Sequence, residues 1–318
     1  MLPLSAYRLL RTISLPALLA VGILHAAAQA SPTVPTPPQP DCNGIRDLAF
    51  VAHMDDDLLF MNPDIDEAIQ AGGCVRTVYL TASERNEGAD YMRNRESAVR
   101  AAYAFMAGLP DDWIADTVQV GAYRLAGFTL RANPRIQLWH MRLTDPWLGK
   151  GWGSLTPLSR AESIPGHTVE TLEEQPQSYT RASLIDTLAS IIRDYDPTTV
   201  RRMDDTIAIA YTELCWRCPG HDHPDHIASA RLTREAMMIA PGVYDGIGYV
   251  AYPTQEYASN LSQAQITRKT EVFRRYAWVD YRYCKGPENC HQPVGPSESW
   301  VRSTYQLPRN DQNIAARQ

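Results

Sequence analysis

Positive charge is in short supply. Thirty Lys and Arg stand against 36 Asp and Glu in 318 residues, a formal net charge of -6. No basic field exists to draw a polyphosphate, so nucleic acid is set aside as a partner. Long apolar runs are missing after Ala30, and no later segment reaches the ~20 residues that a membrane span needs. Internal repeats are absent. The C-x-x-C of Cys215-Trp-Arg-Cys218 has no second copy to complete a four-cysteine zinc site. No βαβ pattern begins beside it, as a thioredoxin-like redox motif would require.

The opening segment is a different matter. "MLPLSAYRLLRTISLPALLAVGILHAAAQASP" places Arg8 and Arg11 before an apolar stretch from Ile13, then Ala-Gln-Ala before Ser31. A charged start, an apolar middle and a small-residue cleavage site read as a signal peptide over residues 1–30. Cleavage after Ala30 removes two arginines and no acid, leaving a charge of -6 - 2 = -8. Residues 31–41, "SPTVPTPPQPD", read as a proline-rich linker. Residues 42–318 read as one domain, exported to the periplasm or the extracellular space. In that setting six cysteines suggest three disulfides. Proximity favours Cys42–Cys74, Cys215–Cys218 and Cys284–Cys290, although six cysteines allow about 15 connectivities.

The pattern along the chain is α/β. Leu48–Ala52 and Val75–Leu80 are strand-like, with a helix over Asp64–Ala71 between them. "YMRNRESAVRAAYAFMAG" is an amphipathic helix ending at Gly108, and Val118–Leu143 holds several short β runs. "TRASLIDTLASIIRDYDP" is a helix stopped before Pro197. Thr198–Met203, Thr206–Tyr211 and Ile247–Tyr252 are strand candidates, and Pro224–Ala240 and Ser262–Trp278 are helices. Alternating strands and helices imply a Rossmann-like, mostly parallel sheet flanked by helices.

Two clusters carry chemistry. "VAHMDDD" sets His53, Asp55, Asp56 and Asp57 at the end of the first strand, where open parallel sheets bind ligands. A solvated acidic turn is the bland alternative. "GHDHPDHIASA" then places His221, His223 and His226 within six residues, with Asp222 and Asp225. One of the eight histidines, His25, lies in the leader, so three of the remaining seven gather here. Imidazoles and carboxylates together suit a catalytic zinc with three protein ligands and an open position.

His221-x-His223-x-Asp225-His226 matches the H-x-H-x-D-H motif of metallo-β-lactamase-fold hydrolases, but that reading leaves the Asp cluster without a role. "AHMDDD" resembles the A-H-P-D-D-E motif of the PIG-L/LmbE-like zinc deacetylases, which remove acetyl from N-acetylglucosamine groups. "HPDH" resembles that family's late H-x-D-H. Between them, "LTASERNEGADYMRNRESAVRAAYAFMAG" resembles its L-T-x-G-E segment and R-x-x-E helix start. The likeness runs from Ala49 to Ala236. Met54 stands where the family has proline, Asp57 where it has glutamate and Ser83 where it has glycine.

The resemblance implies a zinc ion held by His53, Asp56 and His226. It implies Asp55 as general base and His223 as an imidazolium or hydrogen-bond donor beside the carbonyl. Arg93 and Glu84 match positions near the sugar. Asp225 and Asp57 are expected to support these groups, and His221 is left open as extra ligand, substrate contact or bystander. The implied substrate is a GlcNAc-type carbohydrate or glycoconjugate. The other hypotheses are a zinc amidase acting on another N-acyl group and a sugar-binding module without turnover. Trp113, Trp139, Trp147, Trp152 and Tyr179 are candidates for sugar stacking or for core packing, and "DPWLGKGWGSL" is the best candidate for a substrate-facing loop.

Overall fold

The computed structural model describes residues 41–146, 153–215, 218–280 and 296–308. In chain order these form β1 (Arg46–Val51), α1 (Asp64–Gln70), β2 (Cys74–Thr81), α2 (Gly88–Ala107), β3 (Trp113–Val120), β4 (Tyr123–Leu130), β5 (Ile136–Leu143), α3 (Pro157–Ser163), β6 (Thr168–Glu170), β7 (Ser178–Thr180), α4 (Arg181–Tyr195), β8 (Thr199–Met203), α5 (Pro224–Ile239), β9 (Asp245–Val250), α6 (Gln263–Val279), α7 (Pro296–Trp300) and β10 (Tyr305–Gln306).

Among the described residues, eight strands make one sheet in the order β10-β9-β8-β1-β2-β5-β4-β3. The run from β9 to β5 is parallel; β4, β3 and β10 join antiparallel. Both faces of β1 are covered. Ala49 and Val51 pack with α1, α2 and α6, while Leu48 and Phe50 pack with α3, α4 and α5. Successive residues of a strand point to opposite faces, so a strand buried on both reads as an unbroken apolar run. From β1 the chain builds outward through β2 on one side and, later, through β8 on the other. That reversal opens a crevice beyond the carboxyl end of β1, where His53 begins.

Local chemistry sets the helix ends. Gly108 closes α2 in the left-handed region at φ 66°, its N–H bonding back to Ala104 and Phe105. Thr180 and Ser183 form a capping box at the start of α4, as Ser262 and Gln265 do for α6. The strand expected over Thr206–Tyr211 does not form. Asp204 accepts from both the backbone N–H and the hydroxyl of Thr206, at 2.7 and 2.6 Å, a side-chain turn that competes with a ladder.

Two of the three expected disulfides are present, Cys42–Cys74 and Cys215–Cys218; Cys284 and Cys290 lie outside the described residues. Cys42–Cys74 spans 32 residues and ties the lead-in of β1 to the start of β2. Loop-closure entropy for that span amounts to about 3–4 kcal/mol. The double variant Cys42→Ala/Cys74→Ala should lose about that much in a denaturant titration, with the fold retained.

The aromatic candidates for sugar contact are packed elsewhere or lie outside the described residues. Tyr179 is buried and stacks on Tyr123 with centroids 3.9 Å apart. Trp139 carries the Arg76 guanidinium 3.7 Å over its ring, and Trp113 donates to Asp111 at 2.8 Å. Trp147 and Trp152, with most of "DPWLGKGWGSL", fall outside the described residues.

Candidate active site

The acidic turn after β1 is buried, contrary to the solvated alternative. Leaving Ala52, the chain tightens through Asp55 N–H to His53 O at 3.0 Å and Leu59 N–H to Asp55 O at 2.9 Å. It then enters a π-helical turn over Asp57–Met61 whose side chains are all buried. Such wide turns are frequent at functional positions. Here it drives four apolar side chains inward while the preceding carboxylates stay at the crevice.

The second cluster arrives on α5. His223 is its N-cap, Pro224 occupies the first turn, and Asp225 and His226 follow, both buried. His226 Nε2 lies 3.1 Å from His53 Nδ1 and 2.9 Å from Asp56 Oδ1. His53 Nδ1 lies 3.5 Å from Asp56 Oδ2, which also accepts the His53 backbone N–H at 2.7 Å. The other ring nitrogens face carboxylates. His226 Nδ1 is 2.7 Å from Asp222, and His53 Nε2 is 3.5 Å from Asp225 and 3.6 Å from Asp145. Those partners assign the ring protons to His226 Nδ1 and His53 Nε2. With those tautomers His53 Nδ1 and His226 Nε2 each turn a lone pair toward the Asp56 carboxylate, a donor set that suits a divalent cation.

The spacing fits zinc. Bonds of 2.0–2.2 Å in a tetrahedron place donor atoms about 3.4 Å apart; here the two ring nitrogens are 3.1 Å apart, and Asp56 brings Oδ1 to 2.9 Å from His226 and Oδ2 to 3.5 Å from His53. Donor atoms of His53, His223 and His226 also lie within 4.8 Å of one another, as do those of His53, Asp145 and Asp225. His223 Nδ1, however, accepts the Asp225 backbone N–H at 3.1 Å. This leaves its Nε2 as the proton-bearing nitrogen. Burial keeps this imidazole well below its ordinary pKa. With Nδ1 accepting, His223 is neutral in this arrangement.

The supporting carboxylates sort by position. Asp222 orients His226, a role for which the sequence reading had offered only Asp225. Asp225 instead sits beside His53, its other oxygen taking the Thr156 hydroxyl. Asp145, at the end of β5, was not among the sequence candidates. Burial pushes its carboxyl up to about 7, with His53 opposing and Asp225 adding.

Asp57 lies beneath the site. Its Oδ2 accepts from the hydroxyls of Tyr79 at 2.8 Å and Tyr103 at 2.7 Å. Burial, against those two bonds, lifts its carboxyl to about 7. Asp57→Ala strands two buried phenols and should cost about 2–3 kcal/mol. Asp57→Asn keeps an acceptor oxygen and should cost less than half of that. Chemical denaturation of both variants checks the difference.

The remaining candidates are engaged with other protein groups. The Arg93 side chain is 59% exposed and pairs with Asp90 one turn earlier. Two residues on, Arg95 is buried and reaches Asp55 at 3.1 Å. Glu84 is buried and accepts the Asp145 backbone N–H with both oxygens at 2.9 Å. His221 Nδ1 accepts the Cys215 backbone N–H at 3.1 Å, and its own N–H reaches Cys218 O. His221 is thus wound into the disulfide turn, apart from the histidine cluster, and the H-x-H-x-D-H reading loses its first ligand.

Two departures from the family pattern answer each other. Ser83 has φ 53°, a region that favours glycine. Its hydroxyl accepts the buried Met54 N–H at 3.2 Å. Proline at 54 would have no N–H to satisfy, and glycine at 83 would have no hydroxyl to satisfy it.

Residues 48–237 match the profile of the PIG-L family, GlcNAc-PI de-N-acetylase. The chain belongs to the PIG-L family. Its matched region begins in β1 and ends in α5, so it contains both clusters. No curated protein matches the chain. Among solved structures, the PIG-L chain resembles the N,N′-diacetylchitobiose deacetylase of Pyrococcus horikoshii at 12% identity, over 75% of this chain and 72% of that one, with a TM-score of 0.40. A deacetylase of the teicoplanin pathway is 16% identical over 73% and 83% of the chains, with a TM-score of 0.43. The 4-carboxy-2-hydroxymuconate hydratase of Pseudomonas putida KT2440 is 14% identical over 81% and 84%, with a TM-score of 0.42. These likenesses are too distant to assign an activity.

Proposed function

We propose that the chain is an exported, zinc-dependent hydrolase that removes the N-acetyl group from a GlcNAc-containing substrate. The observation that carries the reading is the convergence of His53, Asp56 and His226 on one point, with a further buried carboxylate, Asp55, between two of them in the chain. A binding module needs no such carboxylate. Membership of a family described as de-N-acetylases supports the choice of bond. Two disulfides support an oxidising compartment, and among the described residues no helix is long and apolar enough to cross a membrane.

His53, Asp56 and His226 would hold the metal, with Asp222 and Asp225 beside the far ring nitrogens of the two histidines. A zinc ion held there would supply Lewis acidity for the amide carbonyl and for a water's pKa. Asp55 takes a proton from the attacking water and later delivers it to the departing nitrogen. His223, neutral and with its proton on Nε2, donates to the carbonyl oxygen as charge builds there. Loss of one such donor typically costs about 3–4 kcal/mol of barrier.

Acetate release, measured over a panel of N-acetylated sugars, glycolipids and simple N-acyl amides with metal content followed in parallel, tests the assignment. Release from GlcNAc conjugates alone supports it. Turnover confined to other N-acyl amides replaces it with a general amidase. Sugar retention without any acetate replaces it with a binding module.

A further inference from the structure

We propose that the carboxyl-terminal end of α6 sets the position of Asp55, acting through Arg95. The proposal rests on the reading of Asp55 as the base. Arg95 lies on α2, on the stripe that faces the core, and is buried. Its Nη2 reaches Asp55 Oδ2 at 3.1 Å. Nη1 donates to Ser83 O at 3.0 Å and Nη2 to Met54 O at 3.4 Å, so the guanidinium also spans two backbone segments at the crevice. Its remaining direction is taken from α6. Nε donates to the Tyr276 hydroxyl at 2.6 Å and lies 3.5 Å from Asp280 Oδ2.

That support is itself fixed. Asp280 caps α6 and is fully buried. It accepts from the hydroxyls of Tyr276 at 2.9 Å and Tyr91 at 3.0 Å. Asn94 donates to Val279 O at 2.7 Å and locks the same turn of α6 onto α2. A planar fork held at Nε and Nη1 has the direction of Nη2 fixed, and Asp55 Oδ2 lies in that direction.

Charge counting separates this from ordinary packing. A buried guanidinium needs one counter-charge, and Asp280 supplies it from α6. Asp55 is a second carboxylate on the same cation, and it is the one at the crevice. A base misplaced by about 1 Å can lose about 10²-fold in rate, so a rigid tether has a use here that a structural ion pair lacks. Tyr276 and Asp280 also lie beyond residue 237, where the family match ends. The tether is therefore supplied from outside the shared region, and Arg95 is a positioning residue that acts through Asp55.

Tyr276→Phe removes a single oxygen and is the primary variant. It is compared with wild type, Asp55→Asn and the double variant in the full zinc-loaded chain, reading kcat, KM, zinc content and thermal midpoint. The expected result is a kcat lower by about tenfold for Tyr276→Phe, with KM within about twofold and zinc unchanged. In the Asp55→Asn background the same change should have no further effect. Arg95→Lys keeps the charge but loses the fork, and kcat should fall further at unchanged zinc; if that variant misfolds, Tyr276→Phe still decides. An unaltered kcat in Tyr276→Phe, or the same tenfold loss with Asp55 already replaced, overturns the positioning role. Full turnover by Asp55→Asn itself overturns the assignment of the base, a result distinct from both.

Discussion

Asp55→Asn should keep its zinc and lose about 10²–10⁴ of kcat, the usual contribution of a general base. The substitution preserves shape, and the turn that holds position 55 is made by backbone bonds to His53 and Leu59, which it leaves intact. None of the three converging donor atoms belongs to Asp55, so metal content should stay near that of wild type. What is lost is the ability to accept a proton. An amide can still take the Arg95 N–H through its oxygen, so the fold and the Arg95 pairing should persist. Steady-state acetate release, with zinc measured on the same sample, gives the answer. If Asp55→Asn loses zinc while Asp56→Asn keeps both zinc and turnover, the two roles are exchanged.

His226→Ala should lose both metal and activity. Its Nε2 is nearest to the carboxylate oxygen of Asp56, and removing it leaves two donors, too few for a stable catalytic site. The effect should exceed that of a change at Asp222, which touches only the far nitrogen of the ring. Asp222→Asn should weaken zinc binding by about 10–100-fold, the range found for partners that orient a ligating histidine. Competitive titration with a chelator orders the three proteins, and the expected order of affinity is wild type, Asp222→Asn, His226→Ala. Full zinc occupancy in His226→Ala would remove α5 from the metal site.

Much of this site was legible because the chemistry sits where two simple patterns meet. An unbroken apolar run that stops at His53 marks the end of a central parallel strand. Three histidines beside Pro224 mark a helix start. What escaped notice depended on contacts distant in sequence or on phase within an element. Arg95 was passed over for Arg93 because the motif spacing pointed there. The helical phase of Met92, Val99, Ala102 and Met106, all buried, places Arg95 on the inner stripe and Arg93 outside it. Asp145 escaped because the parallel pairing of β5 with β2 joins Val75 to Ile136 across a long stretch of chain, and only that pairing puts the end of β5 at the crevice. Asp222 was separable from Asp225 only once the chain direction into α5 was known. The short elements α3, β6 and β7 are too brief to carry a period.

Acetate release as zinc is returned to metal-stripped protein tests the zinc-dependent deacetylase most directly. With a GlcNAc conjugate as substrate, activity should be near zero without metal, rise linearly with added zinc and level off at about one zinc per chain, the stoichiometry of a single three-ligand site. Undiminished release from fully stripped protein, or a protein that takes up one zinc and releases no acetate from any N-acetylated sugar, would contradict it.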